Sequence, residues 1–172
     1  ASLTTLDSGA NRNLTVTGAT SVTGTLTCND STVSLGSGLT SAYGLTVNTN
    51  GTFAGGSGSH TIGSIKVSNS AAAVCTLSTS TTVINSENDS DNRNINLAGT
   101  DSVFTSNGVC TMTFAGATRA YRLGGTLTFG GTLKINNASL AFTAAGPIQA
   151  ATLTITAGTF DTGSDQALTV TG

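Results

Sequence analysis

Apolar and polar residues alternate with a period of two along Leu14-Thr15-Val16-Thr17-Gly18, and again along Val22-Thr23-Gly24-Thr25-Leu26-Thr27-Cys28. The alternation returns at Leu45-Thr46-Val47, Cys110-Thr111-Met112-Thr113-Phe114, Leu127-Thr128-Phe129, Leu153-Thr154-Ile155 and Leu168-Thr169-Val170. Successive side chains of a strand point to opposite faces. The pattern predicts half-buried strands in which Leu, Val, Ile and Phe face in and Thr faces out. Each run is short and bounded by Gly, Asn, Asp or Ser, residues that supply turns and positive φ. No window carries a 3.6-residue period, and helix formers are scarce, with one Glu and two Lys in 172 residues. The chain is expected to be all-β.

Repetition narrows this further. Leu6-Asp7-Ser8-Gly9-Ala10-Asn11-Arg12-Asn13-Leu14-Thr15-Val16-Thr17-Gly18 resembles Phe160-Asp161-Thr162-Gly163-Ser164-Asp165-Gln166-Ala167-Leu168-Thr169-Val170-Thr171-Gly172. A shorter Gly-Thr-apolar unit recurs at Gly24, Gly51, Gly125, Gly131 and Gly158. Strand-turn units at such spacing suit a solenoid, a sandwich or a barrel, and a repeated unit favours stacked coils. Aromatics are only 5% of the chain and matched Asn-Gly hairpins are not evident. The expectation is a parallel β-solenoid (β-helix) with short irregular coils, residues 1–172 forming one repetitive β domain. An antiparallel β-sandwich is the alternative. Two or three strands per coil give roughly eight coils of about 20 residues, stacked at about 4.8 Å. The stretch from Thr81 to Asn107 departs from the pattern, so the coil count is least defined there.

Charge then limits what the domain can do. Only 8% of residues are charged, six cations and eight anions with one His, where soluble domains carry roughly 25%. Six scattered cations give no footprint for nucleic acid. No run approaches 18 apolar residues, so no helical membrane span is expected. Ala1 is not followed by a basic and then an apolar segment, so a signal peptide is expected to be already removed or to lie outside this sequence. Hydrophobic residues at 37% with so little charge argue against disorder.

Leu14-Thr15-Val16-Thr17-Gly18-Ala19-Thr20-Ser21-Val22-Thr23-Gly24-Thr25-Leu26-Thr27-Cys28-Asn29 and Gly158-Thr159-Phe160-Asp161-Thr162-Gly163 resemble bacterial and phage secreted surface-repeat proteins: β-solenoid adhesins, autotransporter-like passengers and phage fibre repeats. The resemblance is diffuse and carries over no catalytic residue. It implies an extracellular, cell-surface or virion-fibre location and a structural or adhesive role.

Few residues suggest chemistry. Glu87-Asn88-Asp89-Ser90-Asp91-Asn92-Arg93 is the only acidic cluster. Oxygen-rich loops of this kind suit calcium, so Asp89 and Asp91 are calcium candidates. The EF-hand glycine and distal Glu are missing, and a solvated loop is the plainer reading. Cys28, Cys75 and Cys110 form no Cys-x-x-Cys, and each shares the inward parity of its strand. They are expected to be buried thiols before they are a disulfide or ligands. His60 shares the parity of Ile62 and is expected to be packed. Tyr43 and Tyr121 could face a sugar. Outward Thr rows could form flat ladders of the kind seen on ice-binding solenoids, although high β-propensity alone accounts for them. The Asn-x-Ser/Thr sequons at Asn13, Asn29, Asn50, Asn88 and Asn137 are common by chance in such a composition.

Catalysis lacks support, since a polysaccharide-active β-helix enzyme needs paired carboxylates. The favoured reading is a non-enzymatic structural protein, either a subunit or a segment of a surface fibre that assembles head to tail with itself by β stacking. An adhesin or tail-fibre module that binds cell-surface glycans is the alternative.

Overall fold

The computed structural model describes residues 5–7, 9 and 12–172; Ser8, Ala10 and Asn11 of the first repeated unit, like Ala1, lie outside the described residues. Eighteen strands and no helix are present among them, so none offers a helix long and apolar enough to cross a membrane. Every strand pairing is parallel. The chain is a β-solenoid, as the repeats predicted, with three strand positions in each turn.

The first face stacks Thr5–Asp7 (β1), Thr25–Thr27 (β4), Thr52–Ala54 (β7), Val74–Thr76 (β10) and Val103–Thr105 (β13) as one sheet. The second face stacks Leu14–Val16 (β2), Val33–Leu35 (β5), Ser59–Ile62 (β8), Thr81–Ile84 (β11) and Val109–Met112 (β14). The third stacks Thr20–Val22 (β3), Leu45–Val47 (β6), Ile65–Val67 (β9), Arg93–Leu97 (β12) and Ala117–Arg122 (β15). Toward the C-terminus the corners straighten. Leu127–Ala144 (β16) pairs with β14 and then β15, and Ile148–Asp161 (β17) follows β16 through all three positions. Leu168–Val170 (β18) lies on the start of β17 and opens an eighth turn.

First-face strands begin at Thr5, Thr25, Thr52, Val74, Val103, Leu127, Ile148 and Leu168, so a turn takes 20 to 29 residues. Seven turns and one further strand replace the roughly eight coils of about 20 residues expected. The difference comes from longer connections at 36–44 and 85–92, the second within the stretch that the repeat pattern left undefined.

Inward positions form columns in register. On the second face Val16, Leu35, Ile62, Ile84, Met112, Ile135 and Ile155 stack one above the next. All between the two ends are fully buried. Aromatic steps line the other two faces: Phe142 stacks on Phe160 at 5.3 Å on the third, and Phe104 meets Phe129 edge-on at 6.0 Å on the first. Thr15, Ser34, Thr61, Val83, Thr111, Lys134 and Thr154 make the outward column of the same face. The ladder pairs backbone groups between turns, and few charges are needed to set the register.

Leu14-Thr15-Val16 and Leu168-Thr169-Val170, the matching parts of the two similar units, sit on different faces, the second and the first. The units are alike in sequence but one face out of phase.

Candidate functional site

Asp89 and Asp91 lie in the 85–92 connection, which reaches back past a whole turn to the 36–44 connection. The intervening turn rounds this corner through Gly63 and Ser64 alone, leaving room for the two loops to meet. Asn85 donates to Ser37 Oγ at 2.8 Å and accepts from the Gly38 amide at 3.0 Å; Ser86 Oγ donates to the Leu39 carbonyl at 2.6 Å. The Asp89 amide donates to the Thr40 carbonyl at 2.9 Å. The Tyr43 hydroxyl donates to Asp91 Oδ2 at 2.7 Å, and the Asn96 amide donates to both, at 2.9 Å and 3.3 Å. Burial first, then the bond to Asp91, pushes the Tyr43 hydroxyl well above the usual tyrosine pKa. The Lys66 ammonium lies 5.8 Å from the Tyr43 ring.

The two calcium candidates are thus placed apart in role: Asp91 holds the clasp through its side chain and Asp89 through its backbone. Among the described residues no three His, Cys, Asp or Glu side chains gather as a metal site.

Beneath the clasp is a polar corner that the sequence pattern missed. Glu87 is 8% exposed, Asn94 0% and Thr118 1%. Glu87 Oε2 and Asn94 Oδ1 have no hydrogen-bond partner, and the Thr118 hydroxyl lies against the Glu87 carboxyl group. The Asn94 amide nitrogen reaches only the Met112 thioether, at 3.2 Å. Burial raises the Glu87 pKa, the Thr118 hydroxyl opposes the rise and the charge on Asp89 adds to it. By alternation Asn94 should face outward with Asn96. A bulge between Arg93 and Ile95 in the pairing with β15 breaks that parity and buries it. The one available signal was that Glu87 is the only Glu in the chain.

His60 is packed, as its parity predicted. It is 2% exposed and edge-on to Phe53 at 5.9 Å. Burial lowers its pKa, only partly offset by the Gly55 backbone. The folded state prefers neutral imidazole. Stability from His60 is present above its ordinary pKa of 6.5 and is lost as pH falls below that toward the folded value. His60→Leu replaces a buried titratable imidazole by an apolar side chain of similar size. We expect the variant to melt at or above the wild-type temperature at pH 7, and its stability to fall by about 1 kcal/mol less than wild type's for each pH unit below 6.5. Thermal melts across pH 7.5 to 5 measure this.

Cys28, Cys75 and Cys110 are buried thiols in no disulfide. Burial raises all three pKa values, Cys28 and Cys110 to about 12. Thiolate is scarce at neutral pH, and the three act as small core residues.

Two surface features stand out. A groove of about 590 Å3 on the third face is lined by Arg119, Thr143, Asp161, Ser164 and Gln166. It shares Ala145 and Gln166 with a depression of about 400 Å3 along Tyr121, Arg122, Gly125 and Pro147. The Arg93 guanidinium covers the Tyr121 ring at 4.1 Å, and Arg122 is held by the Thr100 and Ser102 carbonyls at 2.7 and 2.8 Å.

The second feature is the C-terminal end of the stack. Among the described residues nothing pairs with the outer edge of β17 from Thr152 to Asp161. Ile155 is 49% exposed and Val170 50%, and Leu153, Phe160 and Leu168 are only partly covered. Along this edge Asp161 is the only charged residue.

No protein-family profile matches the chain, and neither a curated protein nor a solved structure matches it.

Proposed function

We propose that the chain is a structural, non-catalytic element of an extracellular fibre, a subunit or segment extended coil upon coil by end-to-end β stacking. The outer edge of the last turn carries this reading: no described strand occupies it, and a further coil of the same chain or of a second copy can. An unpaired parallel edge presents a row of backbone donors and acceptors, and proteins that remain monomeric blunt such edges with charge, proline or a covering element. Here one Asp stands where several Lys would be expected, and half of Ile155 faces solvent. Covering the exposed half of Ile155 and of Val170 contributes about 1 kcal/mol each, before any ladder hydrogen bond.

In this reading a second copy adds in step with the phase of the turns. Beyond β18 the next vacant strand place lies on the second face, over Leu153 and Ile155. A copy whose β1 enters there is turned by one face relative to the first. Such a contact joins two different surfaces and does not close, so it yields a filament. Sedimentation velocity and electron microscopy of the 172-residue chain test this; filaments that lengthen with concentration support it, and a strict monomer at high concentration refutes it.

A glycan-binding role has its own supporting observation, the groove along Arg119, Asp161 and Gln166, with the separate depression at Tyr121 adjoining it. Its volume is within the range of ligand sites. An aromatic flank beside unlike charges and an amide suits the apolar and hydroxyl sides of a sugar ring. Tyr121→Ala is expected to weaken binding at least tenfold on a glycan array. A wild-type chain that retains no glycan removes this role.

A further inference from the structure

We propose that the interior corner formed by Glu87, Asn94 and Thr118 is a calcium site, roofed by the clasp and distinct from the exposed Asp89/Asp91 loop surface.

The three residues come from separate places that the fold brings to one corner. Glu87 lies in the connection from β11 to β12, between the second and third faces. Asn94 enters through the bulge in β12. Thr118 is an inward position of β15, one turn further on, and Met112 closes the second-face side. All three are more than nine-tenths buried; Glu87 Oε2 and Asn94 Oδ1 have no hydrogen-bond partner, and the Thr118 hydroxyl lies against the Glu87 carboxyl group and favours its charged form. An unmatched buried acceptor costs roughly 1–3 kcal/mol, more for a carboxylate, so Glu87 Oε2 and Asn94 Oδ1 at one corner favour an occupant.

The chemistry of the atoms selects that occupant. All are hard oxygens: one carboxylate, one amide carbonyl and one hydroxyl. No nitrogen or sulfur ligand suited to zinc is offered, because Asn94 turns its amide nitrogen, not its oxygen, to the Met112 sulfur. Asp89 adds a second negative charge near Glu87. A water molecule can donate two hydrogen bonds but leaves the carboxylate charge buried. A divalent cation balances both carboxylates. Calcium accepts irregular sets of six to eight oxygens, completed by carbonyls and water, where magnesium demands a regular octahedron.

Equilibrium dialysis of the chelator-stripped chain against calcium alone, with thermal melting in parallel, tests the site. One calcium per chain is expected, with a melting temperature several degrees higher in millimolar calcium than in chelator. Glu87→Gln, close in shape, should weaken binding at least tenfold, and Thr118→Val several-fold. Asp89→Asn should weaken it several-fold through charge alone. Asp91→Asn, which touches only the clasp, should leave affinity within about twofold. Absence of bound calcium at millimolar concentration overturns the proposal. So does binding that survives Glu87→Gln and Thr118→Val in variants with wild-type circular dichroism, or that is lost in Asp91→Asn alone, since either places the ion on the outer loop.

Discussion

Ile155→Lys is expected to leave the folded chain intact and to abolish end-to-end association. Ile155 terminates the second-face column that runs through Ile84, Met112 and Ile135. Those three are fully buried because another turn lies above them; Ile155 is 49% exposed because none does. In one isolated chain a lysine there can extend its ammonium into water at little cost. In a stacked pair the same ammonium is trapped beneath the next turn without a partner, at a cost of several kcal/mol. The sedimentation profile should collapse to monomer at concentrations where wild type lengthens, with the melting temperature of the monomer within about 2 °C. Ile135→Lys is the contrasting control: the residue is fully buried, and the charge should unfold its part of the stack. Filaments that persist in Ile155→Lys would place the contact on a different surface.

The same column shows what the sequence could and could not convey. Leu-Thr-Val occurs three times and stands on the second face at Leu14, on the third at Leu45 and on the first at Leu168. Period-two alternation identifies a strand and its inward side, which depend on each residue's own polarity. It carries nothing about the face, which depends on how many residues the preceding corners consume. That is why the solenoid and the buried cysteines were legible but the count of turns was not. The polar corner was hidden for a related reason: one bulged residue reverses parity at Asn94, and no alternation announces it. The clasp was hidden by distance. Tyr43 and Asp91 are 48 residues apart, and the short turn through Gly63 that allows them to meet lies between. The acidic loop was read as solvated or calcium-binding because its neighbours in sequence are polar, while its partners in space are the backbone and tyrosine of another loop.

Gly63→Ala is expected to be among the most damaging small substitutions in the chain. A methyl group at Gly63 would run into the Gly36 carbonyl oxygen, and one at Gly44 would stand 2.8 Å from the Leu35 carbonyl oxygen and 3.0 Å from the Gly63 nitrogen. These glycines let three backbone segments close on one another at the corner where the third turn passes beneath the clasp. The obstacle is backbone on both sides, so no rotamer change relieves it. Overpacking of this kind costs about 3 kcal/mol. For a chain of this size that lowers the melting temperature by roughly 10 °C. Gly38→Ala separates this cause from backbone strain. Gly38 has φ of 72° and nothing within reach of an added methyl, so its cost is conformational, about 1–2 kcal/mol. Because each turn of a solenoid contacts only its neighbours, the loss in Gly63→Ala should be local. Amide exchange should accelerate at the 36–44 and 85–92 loops and in β6 and β9, while β16 and β17 keep wild-type protection. Equal melting temperatures for the two variants would mean that the close approach at Gly63 relaxes without cost, and that the clasp does not depend on the glycine corner.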